Sequence, residues 1–142
     1  DRLHSLHTMR AQIQDGKPKG YLPLARKLIG DTDNTCRWQA LIVVGEFIAS
    51  EPKAVWRIVA RYGRSKDEDM RSGVACVLLE HLLPRDFEYV FRELSMLVRS
   101  GNREITDTVC MCWVFDLTKR QVRRLQSLIG ASVSRPWPRA SA

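Results

Sequence analysis

Long apolar runs are missing from this chain. Nothing in its 142 residues approaches the roughly 18 consecutive apolar residues of a membrane-spanning helix, so no membrane partner is expected. The opening Asp1-Arg2-Leu3-His4 has neither the apolar core nor the cleavage pattern of a signal peptide, and it lacks an initiating Met, as a trimmed chain would show. The expected location is the cytoplasm. A phosphate-cradling glycine loop, a nucleophile elbow, HExxH and CxxC are also missing, which removes the familiar enzyme signatures. No cofactor is expected, and the chain reads as non-catalytic. Four cysteines, Cys36, Cys76, Cys110 and Cys112, are too few and too embedded among apolar neighbours to suggest a disulfide framework. They read as buried free thiols. On a helix, Cys110 and Cys112 would point to different sides, so zinc is not expected. Acidic residues are missing after Asp116, whereas Lys119, Arg120, Arg123, Arg124, Arg135 and Arg139 all follow it.

What the chain does have is helical period. Its hydrophobic fraction of 44% and its length suit one domain with a continuous core. Apolar residues recur at helical spacing in eight segments, separated by helix starts and stops, and no strand candidate survives. The expected helices are Leu3–Gln14, Tyr21–Ile29, Asn34–Ala49, Lys53–Tyr62, about Asp67–Leu83, a partner opened by Pro84, Ile105–Phe115, and a last one capped by Thr118. The expected fold class is all-α, with about four antiparallel pairs in residues 1–130. Residues 131–142 are expected to form an extended basic tail containing Pro136-Trp137-Pro138.

Two of the long helices share a plan. Asp33 maps to Asp67, Arg37 to Arg71, Leu41 to Ala75 and Glu46 to Glu80, at a constant offset of 34. Recurrence at this interval is the mark of a stacked helical-repeat array. The pattern Asp33-x-x-x-Arg37-x-x-Ala40-x-x-x-x-Gly45 resembles the first helix of HEAT repeats, in particular the short bacterial kind. Asp67-x-x-x-Arg71 with Ala75 is similar, although Gly73 lies early and Leu79 stands where Gly45 did. In the third copy Asn102 and Thr106 replace the Asp and the Arg. The resemblance implies an α-α superhelix, or solenoid, in which Asp33, Arg37, Asp67 and Arg71 form a structural ladder between repeats. It also implies a binding scaffold.

The second helices carry the candidate site. Aligning their apolar stripes places Ala25, Trp56, Phe91 and Val122 at one position, each followed by an arginine: Arg26, Arg57, Arg92 and Arg123. Arg61 and Arg124 lie on the same helices, as do Lys53 and Arg99. With a net charge of +7, a row of arginines suits a polyanion, because the planar guanidinium binds carboxylate or phosphate oxygens bidentately and keeps its charge. A solvated helix face is the plainer account, and Glu51, Glu88 and Glu93 interrupt the row. In the resembled family the second helices line the concave face, so the expected partner there is an acidic protein surface or nucleic acid. Trp38, Trp56, Phe91 and Trp113 are expected to pack inside.

Other constellations are weaker. Glu46, Glu80 and Asp116 fall at corresponding helix ends, where such residues usually pair with a neighbour. His4 and His7 share a face without a third ligand, and His81 adjoins Glu80. A second resemblance is to bacterial DNA alkylation-repair glycosylases, which are built from HEAT-like repeats with a basic groove. It implies an Asp and aromatic side chains around a cationic damaged base, and no particular residues carry over. The open ends of such a stack would be apolar, which makes self-association a third expectation.

Overall fold

The structure, a computed structural model, describes residues 2–15 and 20–130. The tail 131–142, with Trp137, lies outside them. Among the described residues the chain is all-α. Helix α1 spans Arg2–Gln14, α2 Tyr21–Ile29, α3 Asn34–Gly45 and α4 Pro52–Tyr62. Helix α5 runs through three sections: α-helical Glu68–Gly73, π-helical Val74–Leu79 and α-helical Glu80–Arg85. Helix α6 spans Phe87–Arg99, α7 Arg103–Cys110 and α8 Lys119–Gly130.

The helix starts follow from local chemistry. The Asp33 carboxylate accepts the Cys36 N–H at 2.7 Å, Asp67 accepts the Asp69 N–H at 3.0 Å, and the Asn102 side chain accepts the Ile105 N–H at 2.8 Å. Each satisfies a donor that the first turn leaves without an intrahelical partner. Thr118 and Gln121 cap α8 reciprocally, at 3.2 and 3.0 Å. Gly101, with φ of 85°, stops α6 in the left-handed region that a side chain would resist.

The odd-numbered helices pack in succession, α1 on α3, α3 on α5 and α5 on α7, while α6 lies against α8. One core runs through them from Leu6 to Ile129. Leu78, Leu79 and Leu82 of α5 are fully buried at its centre, each contributing about 1.5–3 kcal/mol of apolar burial. Arg37 crosses from α3 to Asp67 at 2.9 Å and to Asp69 at 3.3 Å, beside a Trp38 Nε1–H bond to Asp69 at 3.1 Å. Thirty-four residues on, Arg71 crosses from α5 to Asp107 of α7 at 2.9 Å and also binds the Ser65 and Lys66 carbonyls. Asp33 spends its carboxylate on its own cap.

Three boundaries differ from the sequence expectation. Helix α3 stops at Gly45, and the chain tightens through i→i−3 bonds from Glu46, Phe47 and Ile48. Pro84 does not open α6 but sits in the last turn of α5. Leu82 and Leu83, buried beside it, hold the helical path to Arg85 despite the missing N–H. Helix α7 ends at Cys110, five residues short of Phe115. There the Glu80 carboxylate takes the Trp113 N–H at 3.2 Å, and the buried Cys112 thiol lies 3.7 Å from the Ala75 carbonyl. These contacts to α5 take the place of further helical turns.

Candidate functional site

Helix α6 is strongly two-sided. Phe87, Val90, Leu94 and Val98 are buried, whereas Glu88, Arg92, Met96 and Arg99 are exposed at i, i+4, i+8 and i+11. That exposed stripe forms the floor of an open groove of about 790 Å³, with Lys53 of α4 and Arg124 of α8 also lining it. Tyr89 and Phe91 give the groove aromatic surface, and Met96, 56% exposed, adds apolar surface. Four cations face it against two carboxylates, Asp86 and Glu88.

The cations are not equivalent. Arg124 binds both Glu88 oxygens, at 2.5 and 3.1 Å, with its guanidinium carbon 4.4 Å from the Phe91 ring centre and 5.1 Å from that of Phe87. This is a bidentate ion pair stacked on aromatic faces, and it ties α8 to α6. The Arg124 hydrogen bonds hold the Glu88 carboxyl below its ordinary value, against the opposing effect of desolvation, and raise Arg124 in turn. Lys53 lies 5.2 Å from the Tyr89 ring centre, and Arg92 lies 5.4 Å from it. Arg92 has only a loose contact of 3.6 Å to Glu93. Lys53, Arg92 and Arg99 are the cations that a ligand could engage without breaking the Arg124 pair.

Of the six arginines singled out in the sequence, Arg92 and Arg124 line this groove. Arg26, Arg57, Arg61 and Arg123 are exposed but do not line it, and Arg61 rests 5.2 Å from its neighbour Tyr62. Lys53 and Arg99 were visible only as charges on the same helices. Tyr89 and Met96 carried no signal, because an aromatic or Met on a helix normally reads as core. The Glu88–Arg124 pairing spans 36 residues and has no local mark in one sequence.

The remaining candidates separate as well. Glu46, just past α3, binds Arg10 at 2.9 Å and Gln14 at 3.1 Å on α1, and Glu80 of α5 binds the Trp113 amide in the connector after α7, so each carboxylate ties two neighbouring segments. His4 and His7 are exposed, and the His81 ring lies 3.7 Å from Glu80. Among the described residues no three His, Cys, Asp or Glu side chains gather where a metal could sit. No described helix is long and apolar enough to cross a membrane. Trp56 is buried and Trp38 half-buried, but Trp113 is 47% exposed, contrary to its expected place in the core. No family model, curated protein or solved structure matches this chain.

Proposed function

We propose that this chain is a HEAT-like repeat scaffold that binds without catalysis, and that its second-helix face holds an acidic protein surface or nucleic acid. The observation that carries the reading is the groove on α6, where Lys53, Arg92 and Arg99 stand beside Tyr89 and Met96. A ligand there meets cations for its acidic groups and aromatic and apolar surface for the rest. Glu88, the groove's exposed carboxylate, is already neutralised by Arg124, so it repels an anion less than its charge suggests. Its lowered pKa also unsuits it to donate a proton near neutrality.

The test is fluorescence anisotropy with labelled polyanions, namely an oligonucleotide and polyglutamate, between 50 and 200 mM salt. Three engaged cations predict that log affinity falls with log salt at a slope of about −2 for a single strand. Charge reversal by Lys53→Glu, Arg92→Glu and Arg99→Glu should abolish binding. Absence of binding to both probes at low salt would refute the reading.

A further inference from the structure

The connector between α7 and α8 carries a second exposed feature. Trp113 and Phe115 are stacked, with ring centroids 5.1 Å apart and planes within 7° of parallel. They are 47% and 62% exposed, among the largest apolar exposures of the described residues. Their projection follows from the path of the chain. Cys112 is buried and Val114 half-buried, while Trp113 and Phe115 face out, an alternation of period two that puts both rings on one side. Continued as a helix, the same residues would point in opposed directions. The path is anchored by the Glu80 bond to the Trp113 amide and by the Cys112 thiol against the Ala75 and Thr108 carbonyls. The Trp113 backbone is therefore held against α5.

Cations follow the pair in the chain, after one exposed carboxylate, Asp116. Lys119 and Arg120, both exposed, open α8 four and five residues after Phe115, and Arg123 is exposed one turn on. Arg124, at the margin of the groove, is about 7.5 Å further along the axis than Lys119. A flat, exposed aromatic surface followed within five residues by two exposed cations matches a ligand that alternates planar rings with anionic groups. An unpaired nucleotide has that alternation, whereas a duplex hides the faces of its bases and an acidic peptide lacks the rings.

We infer that the Trp113–Phe115 pair is a base-stacking platform for single-stranded nucleic acid, with Lys119 and Arg120 taking the adjoining phosphates. The inference rests on the polyanion reading of the groove and narrows it to one class of ligand. Stacking on exposed aromatics is tolerant of base identity, so no sequence preference is expected.

The test compares a labelled 20-nucleotide single strand, the duplex of the same sequence and polyglutamate, using the intact chain. The expected result is at least tenfold tighter binding of the single strand than of the duplex. Trp113→Ala with Phe115→Ala should remove that preference and leave polyglutamate binding unchanged. Trp113→Phe, which keeps a ring, should retain most of it. Circular dichroism checks that the variants fold, and the single-strand preference of the unaltered chain is informative by itself. Equal binding of single strand and duplex overturns the inference while the groove reading stands, as does a double alanine variant that binds the single strand normally. If the Ala pair instead weakens concentration-dependent self-association and nothing else, the rings serve a second copy of the chain and the inference falls. Loss of all polyanion binding in the unaltered protein removes both readings together.

Discussion

Arg124 on α8 holds both carboxylate oxygens of Glu88 on α6, at 2.5 and 3.1 Å. The pair is an electrostatic latch between two neighbouring second helices, and its pH dependence has a definite sign. Hydrogen bonding from Arg124 lowers the folded-state pKa of Glu88 below its ordinary value, near 4.3 in an unfolded chain. Its contribution to stability is therefore complete above that value and is lost as the pH falls through the folded-state pKa. Thermal melts of the wild-type chain and Glu88→Gln should differ slightly at neutral pH, since the pair is exposed, and should converge as the pH falls below the ordinary carboxylate range. A difference that grew on acidification would contradict the latch.

Arg71 supports a larger prediction. Its side chain is only 11% exposed, and it satisfies the Asp107 carboxylate and two backbone carbonyls at once. Arg71→Leu removes the donor that these three acceptors share. Chemical denaturation should show a loss of about 2–4 kcal/mol. Lys66, in the turn before α5, bonds Glu104 of α7, but it is almost fully exposed, and Lys66→Ala should cost less than 1 kcal/mol.

Gly73 is a packing requirement. A Cβ built on it would lie 2.7 Å from Leu41 Cδ1 and 3.4 Å from Trp38 Cε2, side chains of the preceding odd helix. Its φ of −61° is ordinary for a helix, so backbone freedom is not the reason for glycine here. Gly73→Ala should destabilise the chain by about 1–3 kcal/mol through overpacking, and Leu41→Val in the same chain should recover part of that loss. Greater stability in Gly73→Ala would show that α3 and α5 have room to separate.

The thiols can be read chemically. Cys112 is 2% exposed, and burial raises its pKa well above the usual thiol value, with Glu80 and the neighbouring cysteines adding to the effect. Burial raises Cys36 and Cys76 as well. Thiolate is the reactive species, so a disulfide reagent at pH 8 should label the native chain slowly and leave Cys112 until unfolding. In denaturant all four cysteines should react at once.

The capped start at Thr118 and the two-sided pattern of α6 were legible because each depends on neighbours within a few residues, and the 34-residue recurrence because it compares the sequence with itself. Pro84 and the end of α7 were not. Both depend on what a distant helix supplies, the burial around Leu82 and Leu83 in one case and the Glu80 carboxylate in the other. Trp113 illustrates the cost of this. Helical period places it inside, and a hydrogen bond reaching back 33 residues turns it out.

The same division applies to the candidate site. By itself the sequence determined an all-α chain, its basic excess and the second helices as its carriers, because composition and a 3.6-residue period are local properties. Only the tertiary structure decided which charges share a surface. It took Lys53 from α4, Arg92 and Arg99 from α6 and Arg124 from α8, and it spent Arg124 on Glu88. A cation's availability depends on the carboxylate that packing brings beside it, and packing is set by contacts across the whole core.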